Sequence, residues 1–243
     1  MGCCRIEFGI SKDGNRVSIF NAKTDELYRC QCCKEILIQK RGSQKVWHFA
    51  HKTLQNCVDY YDNKGEWHRK MQELFPENNR EVYNGEYGKH FFDVLTDEQR
   101  IIEFQHSPIS RESFDSRTYA YCDYAMDYGA PDPVWVFDYS DRAFNVYHYE
   151  QKNNGRYFLK IRWFRPSKIF GDYRCKIDGY ELWFRIRQCM WVDYAVPDYE
   201  RETFYVKVFG VYGNKIYGEY ASEEEFARYM DFLKLRNSKQ EAV

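Results

Sequence analysis

The sequence predicts a mixed α/β (α+β) chain, and three observations predict it. A Cys/His cluster follows short β segments near the N-terminus; residues 58–140 alternate helix, strand pair, helix and strand; and residues 141–243 are rich in Tyr and Phe with β character. The expected domains are a zinc-finger-like β module over 1–57, an α/β core over 58–140, and an aromatic β-rich region over 141–243 ending in a helix.

Length and composition bound this reading. A chain of 243 residues with 19% aromatics and a net charge of −1 buries a core and is not a disordered polyelectrolyte. The near-zero charge excludes a global positive field, so any polyanion must be held by a local patch. No apolar stretch follows Met1, and no run reaches the roughly 18 residues of a membrane span. The expectation is therefore a cytoplasmic, reducing setting without a membrane. The nine cysteines then read as thiols or metal ligands. Met1-Gly2-Cys3-Cys4 has the outline of a lipidation signal, but Ile6 stands where that pattern wants Ser or Thr.

Each element has a local cause. Ile6–Ile10 and Val17–Asn21 read as short strands. In the segment from Glu66 to Phe75, Trp67, Met71, Leu74 and Phe75 recur at helical spacing, and Pro76 stops the helix. His68 lies beside that arc and Gln72 one turn beyond it, whereas Glu66 points away and can pair with Lys70. Phe91–Leu95 and Arg100–His106 read as strands around the polar turn Thr96-Asp97-Glu98-Gln99. Arg111–Tyr124 is expected to be helical, and Pro133–Tyr139 is a short buried strand. Ser222-Glu223-Glu224-Glu225 has capping-box spacing and opens an amphipathic helix to about Leu235, with Phe226, Tyr229, Met230 and Leu233 on one face; residues 237–243 are expected to fray.

The strand pair carries the chemistry. A hairpin symmetric about Glu98 sets Asp93 opposite Glu103, with Cβ atoms about 4.5–5.5 Å apart. Strand alternation places Gln105 on the face of Glu103 and turns Ile102 and Phe104 the other way. Two neighbouring carboxylates need a counter-charge, and a hard divalent cation such as Mg²⁺ takes one or two carboxylates together with water and phosphate oxygens. Taken alone, an Asp and a Glu ten residues apart favour a wet hairpin face. The apolar neighbours Phe91, Phe92, Ile101, Ile102 and Phe104 argue for a buried site instead. His68 on the helix, and His90 ahead of the strand, are candidates to reach the same place.

Cys30 and Cys33, followed by His48, His51 and Cys57, form a zinc-type pattern. Cys30, Cys33 and His51 are three ligands of a structural Zn²⁺ site; the fourth is Cys57 or His48, and Cys32 is a bystander. Lys34, Lys40, Arg41 and Lys45 give this module a basic edge. Further on, Phe170, Tyr180, Trp183 and Phe184 mix with Arg162, Arg165 and Arg185, a pattern read as sheet core and outer face.

The segments WHRKMQELFP (67–76), HFFDV (90–94), IIEFQHSPIS (101–110), Arg117 with Tyr121, and VWVFD (134–138), preceded by Cys30/Cys33 and HFAH (48–51), resemble the competence protein CoiA-like family. The resemblance spans roughly residues 28–140. It implies a nuclease-like domain of the PD-(D/E)XK superfamily over 58–140, with a restriction-endonuclease-like mixed sheet flanked by helices. It also implies that Asp93 and Glu103 are the metal acids and that Gln105 stands at the lysine position. That glutamine is a departure: it can hydrogen-bond a water but brings no charge. His68 and Gln72 match a helix of type WH-x-x-W-K, whose last two residues are here Met71 and Gln72. Arg117 and Tyr121 match an R-x-x-x-Y helix. The implied activity is Mg²⁺- (or Mn²⁺-) dependent hydrolysis of DNA, in the handling of foreign, mobile or recombining DNA, with a homodimer where duplex is cut. The alternatives are a catalytically weakened nucleic-acid-binding protein of the same fold and a zinc-stabilised interaction module.

Overall fold

The structure, a computed structural model, describes residues 6–52, 57, 65–88, 90–140, 146–151, 156–161, 166–170, 179–187, 203–213 and 215–235. The chain divides into two compact units, Met1–Leu95 and Thr96–Val243. The expectations for Met1-Gly2-Cys3-Cys4, for Arg162 and Arg165, and for residues 237–243 fall outside the described residues.

The first unit is built on an antiparallel sheet in the order β2-β1-β3-β4-β5. Its strands are β1 (Phe8–Ile10), β2 (Arg16–Ser18), β3 (Tyr28–Arg29), β4 (Ile36–Lys40) and β5 (His48–His51). Ile6, Ile19, Tyr28, Leu37 and Phe49 are buried in one small core, with Cys30 inside it. A second part of the unit carries α1 (Glu66–Glu73) and the antiparallel pair β6 (Arg80–Asn84) and β7 (His90–Leu95). Arg16 links the two parts, donating to Gln31 Oε1 at 3.2 Å and to the Glu77 carbonyl at 2.8 Å.

Helix α1 departs from its expected apolar arc in one respect. Met71 and Phe75 are buried, but Leu74 is exposed, and the polar His68 and Gln72 are buried instead. Glu66 faces outward and pairs with Lys70 at 2.7 Å. The buried polar pair is explained by what it meets on β7.

The second unit is a mixed sheet with helices. Its strands are β8 (Ile101–Gln105), β9 (Val134–Asp138), β10 (Val146–Gln151), β11 (Arg156–Ile161), β12 (Glu181–Arg187), β13 (Thr203–Tyr212) and β14 (Lys215–Ala221). They run in the order β10-β11-β14-β13-β12-β9-β8, in which β8–β9 and β9–β12 are parallel and the other pairs antiparallel. The helices are α2 (Arg111–Tyr128), α3 (Ser167–Phe170) and α4 (Glu223–Leu235). Every residue of β8 and β9 is buried, as expected for parallel strands.

Helix α2 makes the crossover between parallel β8 and β9. Ser110 caps it, its side chain accepting the Ser113 amide at 3.1 Å, and Gly129 ends it in the left-handed conformation at φ 60°. Phe114 packs on both Trp135 and Phe137, so the α2 face of the sheet is the face of the odd-numbered β9 residues. In register with them stand Glu103 beside Trp135 and Gln105 beside Phe137. On the opposite face, Trp183 meets Phe226 and Tyr229 of α4. The Ser222–Glu225 capping box closes reciprocally at 2.8 and 3.1 Å.

Candidate functional site

Three clusters gather the residues that sequence reasoning singled out. The first is the Cys/His cluster. The chain leaves β3, turns through Cys30–Glu35 and returns as β4; Cys30 N–H donates to the Glu35 carbonyl at 2.8 Å and Lys34 takes a left-handed φ of 63°. This tight turn carries Cys30 and Cys33 to one side, where β5 delivers His51 and the chain beyond it Cys57.

The ligand atoms of Cys30, Cys33, His51 and Cys57 all lie within 4.8 Å of one another. Cys30 Sγ is 3.7 Å from Cys57 Sγ, and Cys33 Sγ is 3.2 Å from His51 Nε2. Around one zinc with Zn–S about 2.3 Å, tetrahedral sulfurs stand about 3.8 Å apart, so the donor set fits a structural Zn²⁺. The Cys32 amide points at Cys30 Sγ at 3.4 Å, a contact that favours a thiolate there. Burial pushes the Cys30 and Cys57 thiols up and the His51 imidazole down. These groups therefore rest neutral until a cation draws the thiol protons off. Of Cys57 and His48, it is Cys57 that lies in the converging group. His48 instead turns Nδ1 to the Val46 carbonyl at 2.8 Å.

The second cluster surrounds Asp93 on β7. His68 Nε2 lies 3.0 Å from Asp93 Oδ1, so that nitrogen carries the proton donated to the carboxylate. Gln72 Nε2 donates to the Asp93 carbonyl at 3.0 Å and to Oδ1 at 3.2 Å. All three side chains are almost wholly buried. Residues 68 and 72 share a helix face because they are one turn apart, and a buried carboxylate demands such donors. His90 stands three residues ahead of Asp93 on the same strand, which places it on the alternate face.

The third cluster lies in the second unit. Glu103 on β8 is 1% exposed. Tyr121 donates to its Oε1 at 2.8 Å, Arg117 donates to its Oε2, and Arg117 Nε donates to the Tyr121 hydroxyl at 3.0 Å. One carboxylate, one guanidinium and one phenol thus close a ring of hydrogen bonds. Burial pushes the Tyr121 phenol well up, so it stays a donor. The Tyr121 ring stacks on Trp135, and the Arg117 guanidinium sits 5.0 Å over Trp135, which fixes both groups. Gln105, two residues along β8, donates its Nε2 to the Ser107 carbonyl at 2.7 Å.

Sequence reasoning missed a fourth group. Asp138, at the end of β9, is buried and accepts from the Ser140 amide at 3.0 Å, with His106 Nδ1 at 3.1 Å and Arg185 Nη1 at 3.5 Å. Arg185 also reaches Ser140 Oγ and Glu223. This network lies on the α4 face, opposite Glu103. The signal for it was an acid ending the apolar run VWVFD, but its partners follow only from the β9–β12 register, which pairs Asp138 with Arg185.

Comparison with known proteins gives two matches. Residues 12–59 match the N-terminal domain of competence protein CoiA, and residues 65–162 match the nuclease-like domain of the same protein. No curated protein and no solved structure matches the chain. No helix among the described residues is long and apolar enough to cross a membrane.

Proposed function

The chain belongs to the competence protein CoiA-like family, and from that premise we propose that it is a metal-dependent nuclease that hydrolyses phosphodiester bonds of DNA. In this reading Asp93 and Glu103 hold one divalent cation, Mg²⁺ or Mn²⁺. Its setting is the processing of foreign or recombining DNA in a reducing compartment.

The observation that carries the reading is the burial of both acids under dedicated donors. Asp93 is oriented by His68 and Gln72, and Glu103 by Arg117 and Tyr121. A carboxylate used only for solubility would not be given buried partners. The turn between the strands supports the pairing: the Thr96 amide donates to the Arg100 carbonyl at 2.9 Å, and Gln99 takes a left-handed φ of 64°. A strand pair centred on that turn would oppose positions 93 and 103. The donors are hard oxygens, the kind Mg²⁺ takes. When bound, the cation would polarise the phosphate and acidify a water for attack. The protein's own part is to fix each carboxylate: His68 and Gln72 orient Asp93, and Arg117 and Tyr121 orient Glu103.

One observation favours a second reading, a nucleic-acid-binding protein with weakened catalysis. Gln105 brings no charge to the lysine position, and its amide is turned to Ser107. The two readings separate on labelled single- and double-stranded DNA incubated with Mg²⁺, with Mn²⁺ or without added cation. The nuclease reading expects cation-dependent cleavage that falls to background in Asp93→Ala and Glu103→Ala while binding persists. Cleavage that survives both substitutions, or that never appears with any cation, would overturn it.

A further inference from the structure

The β4–β5 hairpin ends in a loop that none of the clusters above uses. Residues 42–47 are all exposed, and residues 42–45 with Lys40, Arg41 and His48 line an open pocket, with Trp47 outside that lining. No carboxylate lines it; the chain has no acid at all between Glu35 and Asp59. Lys40 and Lys45 have no ion-pair partner among the described residues.

Arg41 is committed differently. Its guanidinium donates to the Ile19 carbonyl at 3.0 Å and to that of Ala22, pinning the loop to the sheet, and sits 5.0 Å over the Trp47 ring. Trp47 is 40% exposed, and its near-parallel neighbour Phe20 is 54% exposed, with ring centroids 6.3 Å apart. Two large aromatic rings held at the surface beside unpaired lysines are not explained by the core of this module, which lies on Ile6, Tyr28, Leu37 and Phe49.

We infer that this loop is a single-strand nucleic-acid grip, in which Trp47 with Phe20 is a stacking platform for a base and Lys40 and Lys45 hold the flanking phosphates. Duplex would offer phosphates to the lysines but no base face to the tryptophan. An acidic peptide would likewise leave the rings unused. A single strand supplies both chemistries at once. The inference rests on the nucleic-acid reading of the chain but not on its cleavage chemistry.

The test is fluorescence anisotropy with the full-length, zinc-loaded protein and no added Mg²⁺. The probes are a labelled oligothymidylate of about 20 nucleotides, longer than one such site, an abasic strand of equal length, and the matching duplex. Trp47→Ala should weaken oligothymidylate binding about 5- to 150-fold, the range for loss of one stacked base, whereas Trp47→Phe should hold most of it. Lys40→Glu with Lys45→Glu should weaken every probe and lower the salt slope by about 0.7 per lost phosphate contact. Zinc content is measured for each variant, so that a damaged module is recognised, and Trp47→Phe keeps the comparison when Trp47→Ala loses metal. Oligothymidylate binding equal to wild type in Trp47→Ala and in the double lysine variant would overturn the inference. So would an abasic strand or duplex bound as tightly as oligothymidylate. Because cleavage is read separately with Mg²⁺ and Asp93→Ala, a failed nuclease reading and a failed grip give different results.

Discussion

The Cys/His cluster and the Glu103 centre both bring costly groups together, yet they are balanced in opposite ways. Around Cys30, Cys33, His51 and Cys57 the protein brings four donor atoms within 4.8 Å of one another. Around Glu103 it supplies the counter-charge itself: Arg117 and Tyr121 lie against the carboxylate, and Trp135 backs both. The first arrangement is completed by something added; the second is preorganised by the fold. A converging ligand set and a buried carboxylate therefore say different things about a site. Three thiols and an imidazole close enough to share one coordination sphere fit a particular class of ion, whereas a buried acid shows only its need for a partner.

The strongest way to break that comparison is to remove the metal. Structural zinc in small modules contributes on the order of 10 kcal/mol of apparent binding energy at neutral pH. Chelation, or Cys33→Ser, is therefore expected to unfold the β1–β5 sheet while the second unit keeps its protection in hydrogen exchange. The sign with pH is fixed: each thiol loses a proton on binding, so zinc is released as the pH falls. A zinc-free preparation with unchanged protection over residues 6–52 would show the cluster to be buried thiols only.

The next largest effect should come from Arg117. Removing one partner of a buried ion pair costs about 3–5 kcal/mol, because the remaining charge is left uncompensated. Arg117→Met should therefore destabilise the protein strongly in chemical denaturation, and Glu103→Gln in the same chain should restore much of the loss. This variant also sharpens the functional reading. If Glu103 takes part in a cation site, Mg²⁺ should stabilise the protein by about 2.7 kcal/mol at a concentration 100 times its dissociation constant. No stabilisation by Mg²⁺ or Mn²⁺, in wild type or in Arg117→Met, would leave Glu103 as a structural ion pair.

Tyr121→Phe asks less. It removes one donor from Glu103 Oε1 and keeps the ring stacked on Trp135. The expected cost is about 1–2 kcal/mol. If Tyr121 positions the carboxylate, the cation concentration needed for cleavage should rise with little change in DNA binding; an unaltered cation dependence would rule out that role.

Much of this contrast could be read in the sequence, because it depends on neighbours along the chain. Cys30 and Cys33 are three positions apart, the turn is carried by residues 96–99, and Ser222 and Glu225 cap α4 as their spacing requires. The α1 face was harder to read. An apolar arc predicted Leu74 inward, yet His68 and Gln72 are buried beside Met71 and Phe75 while Leu74 is exposed, because the buried Asp93 needs their donors. The Asp138 network was legible only as an acid closing the apolar run VWVFD. Its pairing with Arg185 joins residues far apart through parallel β9 and β12, and no local period encodes that register. Asp93 and Glu103 lie between these cases: their types and spacing were visible, but their donors come from helices whose partners only folding chooses.

The smallest effect tests whether the Glu103 centre is preorganised by tertiary packing or by its helix alone. Ser110 caps α2, and its loss should cost about 1 kcal/mol of stability. Arg117 lies two turns inside that helix, and Phe114 between them is packed on Trp135 and Phe137. Fraying of the first turn should therefore stop before Arg117. Ser110→Ala is expected to lower the denaturation midpoint slightly while leaving both the Mg²⁺ response and cleavage at the wild-type level. If instead the cation response drops with the cap, packing on Trp135 does not fix Arg117, and Glu103 depends on helix integrity as the cysteine cluster depends on its metal.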